Sequence, residues 1–191
     1  MIETDDNLMA RCKNGDMSAF DLIVQRHKVP LFNFIYRFLY NRDSAEDLTQ
    51  EVFIRIYKNI KNYRSDMAGF RTWMYRIATN LCKNEIRNRN RRSKVLLDSP
   101  IGKNEDDEPL ENIQDPSPGP DVLLEKKELY ESLTLAISHL PEKFRTVLIL
   151  RDIEGMSYDE IANIIGKPEG TVKSRLNRAR LMLKDKVTSN G

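Results

Sequence analysis

Three observations predict an all-α protein of two small helical domains joined by a flexible acidic linker. Apolar residues recur every three or four positions over long stretches on both sides of the chain centre, the spacing of one helix face. Five of the eight prolines (Pro100, Pro109, Pro116, Pro118 and Pro120) fall between, beside the acidic run Glu105 to Glu108, so neither helix nor strand should persist there. Charge divides at the same places: residues 1–92 carry 17 basic and 11 acidic side chains, residues 93–131 carry 4 and 11, and residues 132–191 carry 10 and 7. The expected units are therefore a domain over 1–92, a linker over 93–120 and a domain over 121–191.

The stretch from Gly155 to Lys184 organises the C-terminal unit. Ser157 and Glu160 have capping-box spacing, each side chain able to satisfy the other residue's backbone N–H, and predict a short helix from Tyr158 to Ile165. Gly166 can take the left-handed conformation that closes it, and Pro168 can sit in the first turn of the next helix. On that second helix Val172, Leu176, Ala179 and Leu183 share an inward face. Gly170, Thr171, Lys173, Ser174, Asn177 and Arg178 stand on or beside the opposite one, where they can approach phosphates or base edges. Lys167 to Lys184 hold six basic residues against one acid, Glu169. The pattern is that of a helix-turn-helix; the plainer alternative is an αα-hairpin with a solvated basic face. The preceding helix, with Leu124, Leu129, Leu133, Ala136, Ile137 and Leu140, and the run after Pro141, with Phe144, Val147, Leu148 and Ile153, complete a four-helix support.

In the N-terminal unit Leu8, Met9 and Cys12 suggest a short helix ended by Asn14-Gly15-Asp16. Phe20, Ile23, Val24, His27, Leu31, Phe34, Ile35 and Phe38 follow at helical spacing, with Pro30 expected to kink or split the helix. Asp43 and Glu46 read as a second capping-box pair ahead of a helix whose Leu48, Val52, Phe53, Ile56 and Ile60 point inward. Its other face lines up Asp43, Asp47, Gln50 and Glu51. That face is too acidic for DNA and suits a basic partner surface, a solvated helix start or, least well, a catalytic divalent metal.

Between Arg71 and Arg92 lie seven basic residues and one acid, interleaved with Trp73 and Tyr75. As a helix this segment puts Phe70, Met74, Ile77, Ala78 and Leu81 inward and Thr72, Arg76, Thr79, Asn80, Lys83, Arg87 and Asn90 along a polar stripe. Cations among aromatics suit a single strand, whose bases rest on rings while phosphates meet charges; Trp73 and Tyr75 equally suit a core. The 28-residue linker, reaching about 90 Å if fully extended, would let the two basic units touch well-separated parts of one ligand. Its acidic charge serves solubility or occupies a basic channel as a nucleic-acid mimic.

Other classes find less support. No apolar run approaches the roughly 20 residues that span a bilayer, and MIETDD is unlike a signal peptide, so a cytoplasmic protein without membrane insertion is expected. Cys12 and Cys82, without partners at metal-ligand spacing, read as reduced and packed, and His27 and His139 are isolated. No cofactor or metal is expected.

The ordered motifs SAEDLTQEVFIRIY, FRTWMYRIATN, LPEKFRTVLILRDIEGMSYDEIA and GTVKSRLNRAR resemble the extracytoplasmic-function (ECF) sigma factors of bacterial RNA polymerase over nearly the whole chain. The resemblance implies a non-enzymatic subunit that binds core polymerase and directs promoter-specific initiation, with only the second and fourth conserved regions of larger sigma factors. It implies that Asp43, Asp47, Gln50 and Glu51 dock on the clamp helices of the largest subunit. Arg76, Asn80, Lys83 and Arg87 would meet the −10 element, and the loop Tyr63, Arg64, Ser65 and Asp66 would take up a flipped base. Thr171, Lys173, Ser174, Asn177 and Arg178 would read the −35 element. The C-terminal domain would rest on the flap of the second-largest subunit while the linker threads the core enzyme, and the free protein would be a monomer held inactive by an anti-sigma factor. Two further hypotheses rest on single features: a dimeric repressor or activator on the helix-turn-helix, and a carboxylate-dependent nuclease on Asp43, Asp47 and Glu51.

Overall fold

The computed structural model describes the backbone of residues 3–97 and 120–189 and the side chains of residues 3–92 and 129–186. The readings placed on the linker, its acidic run included, lie outside the described residues. The N-terminal half comprises α1 (Asp5–Lys13), α2 (Met17–Leu39), α3 (Arg42–Lys58), a single 3₁₀ turn (Ile60–Asn62) and α4 (Phe70–Leu97). The C-terminal half comprises α5 (Pro120–Ser138), α6 (Glu142–Leu148) continued by a π-helical segment (Ile149–Ile153), α7 (Tyr158–Ile165) and α8 (Glu169–Ser189). Helix α4 runs five residues into the segment expected as linker.

Local signals account for many helix ends. Asp16 closes the turn after α1 and caps α2, its Oδ1 accepting from Ser18 N at 3.0 Å. Two further oxygen contacts hold Arg11, at 2.9 and 2.7 Å. Hydrogen bonds from Ser18 and Arg11 draw the Asp16 carboxyl down to about 2. Helix α2 spans 23 residues with Pro30 inside it, so the proline does not divide the helix. The capping pair expected at Asp43 and Glu46 is corrected. Asn41, in extended conformation, is the cap and accepts from Ser44 N at 2.9 Å, which leaves Asp43 in the first turn, where the helix dipole favours an acid. Glu46 instead pairs with Arg42 at 3.0 Å.

Each half buries the apolar faces read from its periodicity. Ile23, Leu31, Phe34, Ile35, Val52, Ile56, Met74 and Ala78 have no more than trace exposure in the first half, as do Val147, Val172 and Ala179 in the second. Burying each large aliphatic side chain contributes about 1.5–3 kcal/mol. Cys12 and Cys82 are free thiols packed in the first core. At α5 the expectation fails in part: Ile137 and, just past the helix end, Leu140 are buried, but Leu129 is 69% exposed and Leu133 39%. Thr134 goes inside in their place, its hydroxyl bonded to Tyr130 O at 2.8 Å. Ile153, expected as helix-turn-helix support, is 37% exposed.

The two halves pack against each other, α7 upon α4 and α5 upon α2. The linker's length sets how far the two units could reach along one ligand, and does not by itself announce this contact between them.

Candidate nucleic-acid interface

The helix-turn-helix forms as its sequence signals require. Ser157 Oγ accepts from Glu160 N at 3.2 Å while Glu160 Oε2 accepts from Ser157 N at 2.7 Å, so the capping box is complete and α7 starts at Tyr158. Gly166 ends it at φ +62, a left-handed conformation that a side chain would strain. Helix α8 then begins at Glu169, anchored by bonds from Thr171 N and Val172 N to Pro168 O at 2.9 and 3.3 Å. Val172, Leu176 and Ala179 are buried against the domain and Leu183 is half-buried.

The outward residues of α8 are ready for contact. Lys173, Ser174, Asn177 and Arg178 are exposed and Thr171 is half-buried. Lys173 pairs with Glu169 at 3.5 Å and lies 5.3 Å from the Tyr158 ring centre; Ser174 Oγ donates to Thr171 O at 3.0 Å. Arg180, in contrast, is held by Asp152 through bonds of 2.9 and 2.5 Å, so this cation braces the domain.

On α4 the structure divides the predicted stripe. Arg76, Asn80, Arg87 and Asn90 are exposed, but Thr72 and Thr79 are buried and Lys83 is half-covered, 3.5 Å from Glu142 of α6. Tyr75 resolves in favour of the core: it is 1% exposed, edge-on to Phe34, and donates its hydroxyl to Glu154. Burial pushes that phenol up, with Glu154 adding to the rise. Trp73 is half-buried against the Tyr63 ring, centroids 5.1 Å apart.

The loop residues Arg64, Ser65 and Asp66 are exposed, with Arg64 and Asp66 paired at 3.2 Å. Tyr63 departs from the expectation that it faces a flipped base. It is 3% exposed, wedged between Phe70 and Trp73, and its hydroxyl donates to Asp6. Here the ring supports the loop from beneath. The anchoring carboxylate was missed because its partners lie 57 and 64 positions away, beyond any periodicity.

The acidic face of α3 is presented as read. Asp43, Asp47 and Gln50 are exposed; Glu51 is half-buried and paired with Arg55 at 2.6 Å. Asp43 and Asp47 take part in no ion pair among the described residues. These carboxylates do not converge, and no group of three His, Cys, Asp or Glu among the described residues could hold a metal ion.

A further polar site, which no local pattern announced, lies between the halves. Glu154 ends the π-helical segment, where the wider turn closes with Glu154 N bonded to Ile149 O at 3.0 Å. Its side chain, 9% exposed, meets Arg37 at 3.9 Å and Arg71 at 3.6 Å as well as the Tyr75 hydroxyl, while Arg71 also donates to its carbonyl. Thr72 Oγ lies 3.5 Å from Glu160, and the Arg145 guanidinium donates to Phe38 O across the same boundary. A carboxylate taken out of water is tolerated only with such charged and hydrogen-bonding partners.

A helix-turn-helix beside a second helical domain, with cations exposed along α8 and α4, is the build of a DNA-directed protein. Known proteins make the class specific. Sigma-70 region 2 matches residues 23–92, and Sigma-70, region 4, matches residues 130–183. The RNA polymerase sigma-H factor of Pseudomonas aeruginosa is 38% identical over 183 residues, covering 93% of this chain and 91% of its own. The ECF RNA polymerase sigma-E factor of Escherichia coli strain K12 is 37% identical over 186 residues, covering 96% and 94%. Among solved structures, CnrH in complex with the cytosolic domain of CnrY has a TM-score of 0.70 at 22% identity, covering 99% of this chain and all of that one. The sigma factor RpoE of Bartonella quintana, in complex with the anti-sigma factor NepR, has 0.68 at 22%, covering 88% and 96%. At that identity these two show the shared fold. The chain belongs to the ECF sigma factors of bacterial RNA polymerase. It directs promoter-specific transcription initiation, and core polymerase and promoter DNA are its partner classes. No helix among the described residues is long and apolar enough to cross a membrane.

Proposed function

We propose a division of labour among the three surfaces. Asp43, Asp47, Gln50 and Glu51 on α3 dock on the clamp helices of the largest polymerase subunit, where the exposed carboxylates of Asp43 and Asp47 meet basic groups. On α4 Arg76, Asn80, Lys83 and Arg87 meet the −10 element, while the exposed loop Arg64, Ser65 and Asp66 takes up a flipped base with Tyr63 as its floor. On α8 Thr171, Lys173, Ser174, Asn177 and Arg178 enter the major groove at the −35 element. Unstacking a base costs a few kcal/mol, and selective capture in the loop offsets it. Strand opening and sequence reading are then one event.

The C-terminal domain rests on the flap of the second-largest subunit, and the linker over 93–120 threads the core enzyme. The exposed Leu129 and Leu133 on α5 give that domain an apolar contact surface. The free protein is a cytoplasmic monomer under an anti-sigma factor, the kind of partner the NepR complex holds. It needs no cofactor and catalyses nothing itself.

The observation that carries the reading is the presence on one chain of an exposed recognition face on α8 and, on α3, an acidic face whose Asp43 and Asp47 are exposed. In vitro transcription tests it. The protein, purified core polymerase and a pool of upstream genomic fragments should yield discrete start sites that core alone does not. Neither core binding nor initiation from any fragment would remove the reading.

A further inference from the structure

We propose that Met67 is an apolar wedge that enters the promoter's base stack as the strands part, filling the place of the base that the loop takes up. The inference rests on the reading of Arg64, Ser65 and Asp66 as the base-capture loop. Capture holds an extruded base but leaves a gap in the stack it came from. Proteins that unstack a duplex fill such a gap with an apolar side chain, Met among them.

Among the described residues Met67 is the most exposed large apolar side chain, at 72%. The other exposed ones of the N-terminal half, Met17, Leu22, Val29, Ile54 and Tyr57, lie on α2 and α3, and none exceeds 50%. A methionine so open to water gains by burial, and its unbranched, polarisable thioether adapts to the flat faces of aromatic rings.

The footing of the loop suits it to push. Both ends are tied to one carboxylate oxygen, Asp6 Oδ1, which accepts from the Tyr63 hydroxyl and from Phe70 N at 3.0 Å. Residues 64–69 stand out between these two buried rings, with Ala68 half-covered and the rest exposed. At the tip Arg64 O accepts from Met67 N at 3.2 Å and from Ala68 N at 3.3 Å, so a closed turn carries Met67 before any DNA arrives. A preformed turn on a fixed base loses little freedom when it inserts. Lys61 and Arg64, which precede Met67 in the chain, are exposed and can meet the neighbouring phosphates, while Arg64 also matches the charge of Asp66 at 3.2 Å.

Initiation by the full chain with core polymerase tests the wedge. One promoter from the genomic fragments is supplied in two forms, as intact duplex and with a mismatched bubble across the −10 element, and the rate at which competent complexes form is read from abortive RNA synthesis. Met67→Gln, polar at nearly the same length, and Met67→Ala should slow initiation on the duplex roughly tenfold, the scale of losing one buried apolar side chain, and leave the bubble near the wild-type rate. Met67→Leu keeps an apolar tip and should retain most of the duplex rate. Wild-type initiation on the duplex by Met67→Gln overturns the wedge, and so does an equal loss on duplex and bubble, which would put Met67 against the captured base or the polymerase. The double variant Arg64→Ala, Asp66→Ala separates the proposal from the reading beneath it. Slower initiation on both templates supports base capture whatever Met67 does, and no loss on either removes base capture and the wedge with it.

Discussion

Tyr63 donates its hydroxyl to the Asp6 carboxylate, and the same oxygen accepts from Phe70 N at 3.0 Å. One side chain near the N-terminus thus ties the loop before α4 to the first N–H of α4, a donor that no helical partner can satisfy. Lys13, also near the N-terminus, donates to Tyr63 O and lies 5.5 Å from its ring centre. The acidic start of the chain is therefore a brace for the loop assigned to base capture.

Asp6→Ala should destabilise the protein by about 1–3 kcal/mol, the loss of a helix-end acceptor plus a phenol left without one. Urea denaturation reads it. Asp6→Asn keeps an oxygen acceptor and should recover much of the loss; equal destabilisation by both would count against the bracing role.

His27 gives the N-terminal domain a pH response. Its Nε2 lies 2.8 Å from Asp5 Oδ2, which favours the charged ring, but burial prevails and lowers its pKa below the ordinary 6.5. The unfolded chain takes up this proton first. Stability from this group is full above about pH 6.5 and is lost as pH falls through the lower folded value. Denaturation midpoints measured down to about pH 5.5 should decline in that window, and His27→Gln should flatten this part of the slope.

Arg178→Ala should weaken use of −35 sequences by about 1–3 kcal/mol, the range for one good base contact, and leave core binding intact. Promoter competition assays against −35 variants measure the first, and co-purification with core polymerase the second. Lost core binding would contradict the assignment of α8.

Asp47→Arg places a cation on the exposed face of α3 and should reduce core affinity at least tenfold, about 1.4 kcal/mol. A titration with purified core polymerase reads it, with the denaturation midpoint as control. Unchanged affinity would make the acidic face a solvated helix start.

Features set by neighbours along the chain are legible in the sequence. The capping box of Ser157 and Glu160, the left-handed Gly166, the turn at Asn14 to Asp16 and the buried stripe of α8 each depend on residues within a few positions of one another. Where two local signals compete, spacing misleads. Asn41 takes the cap expected of Asp43, and α5 turns Thr134 inward in place of Leu129 and Leu133.

Helix periods, caps and charge blocks are short-range properties, so the order of elements, the two helical halves and their DNA-directed character are written in the chain. Whether an aromatic among cations faces a base or a core is not short-range. Tyr63 and Tyr75 are inside because Asp6 and Glu154, 57 and 79 residues away, supply acceptors for their hydroxyls. Only the tertiary fold made those meetings, α1 closing under the loop and α7 packing upon α4, because a buried phenol or carboxylate settles wherever the fold brings it a partner.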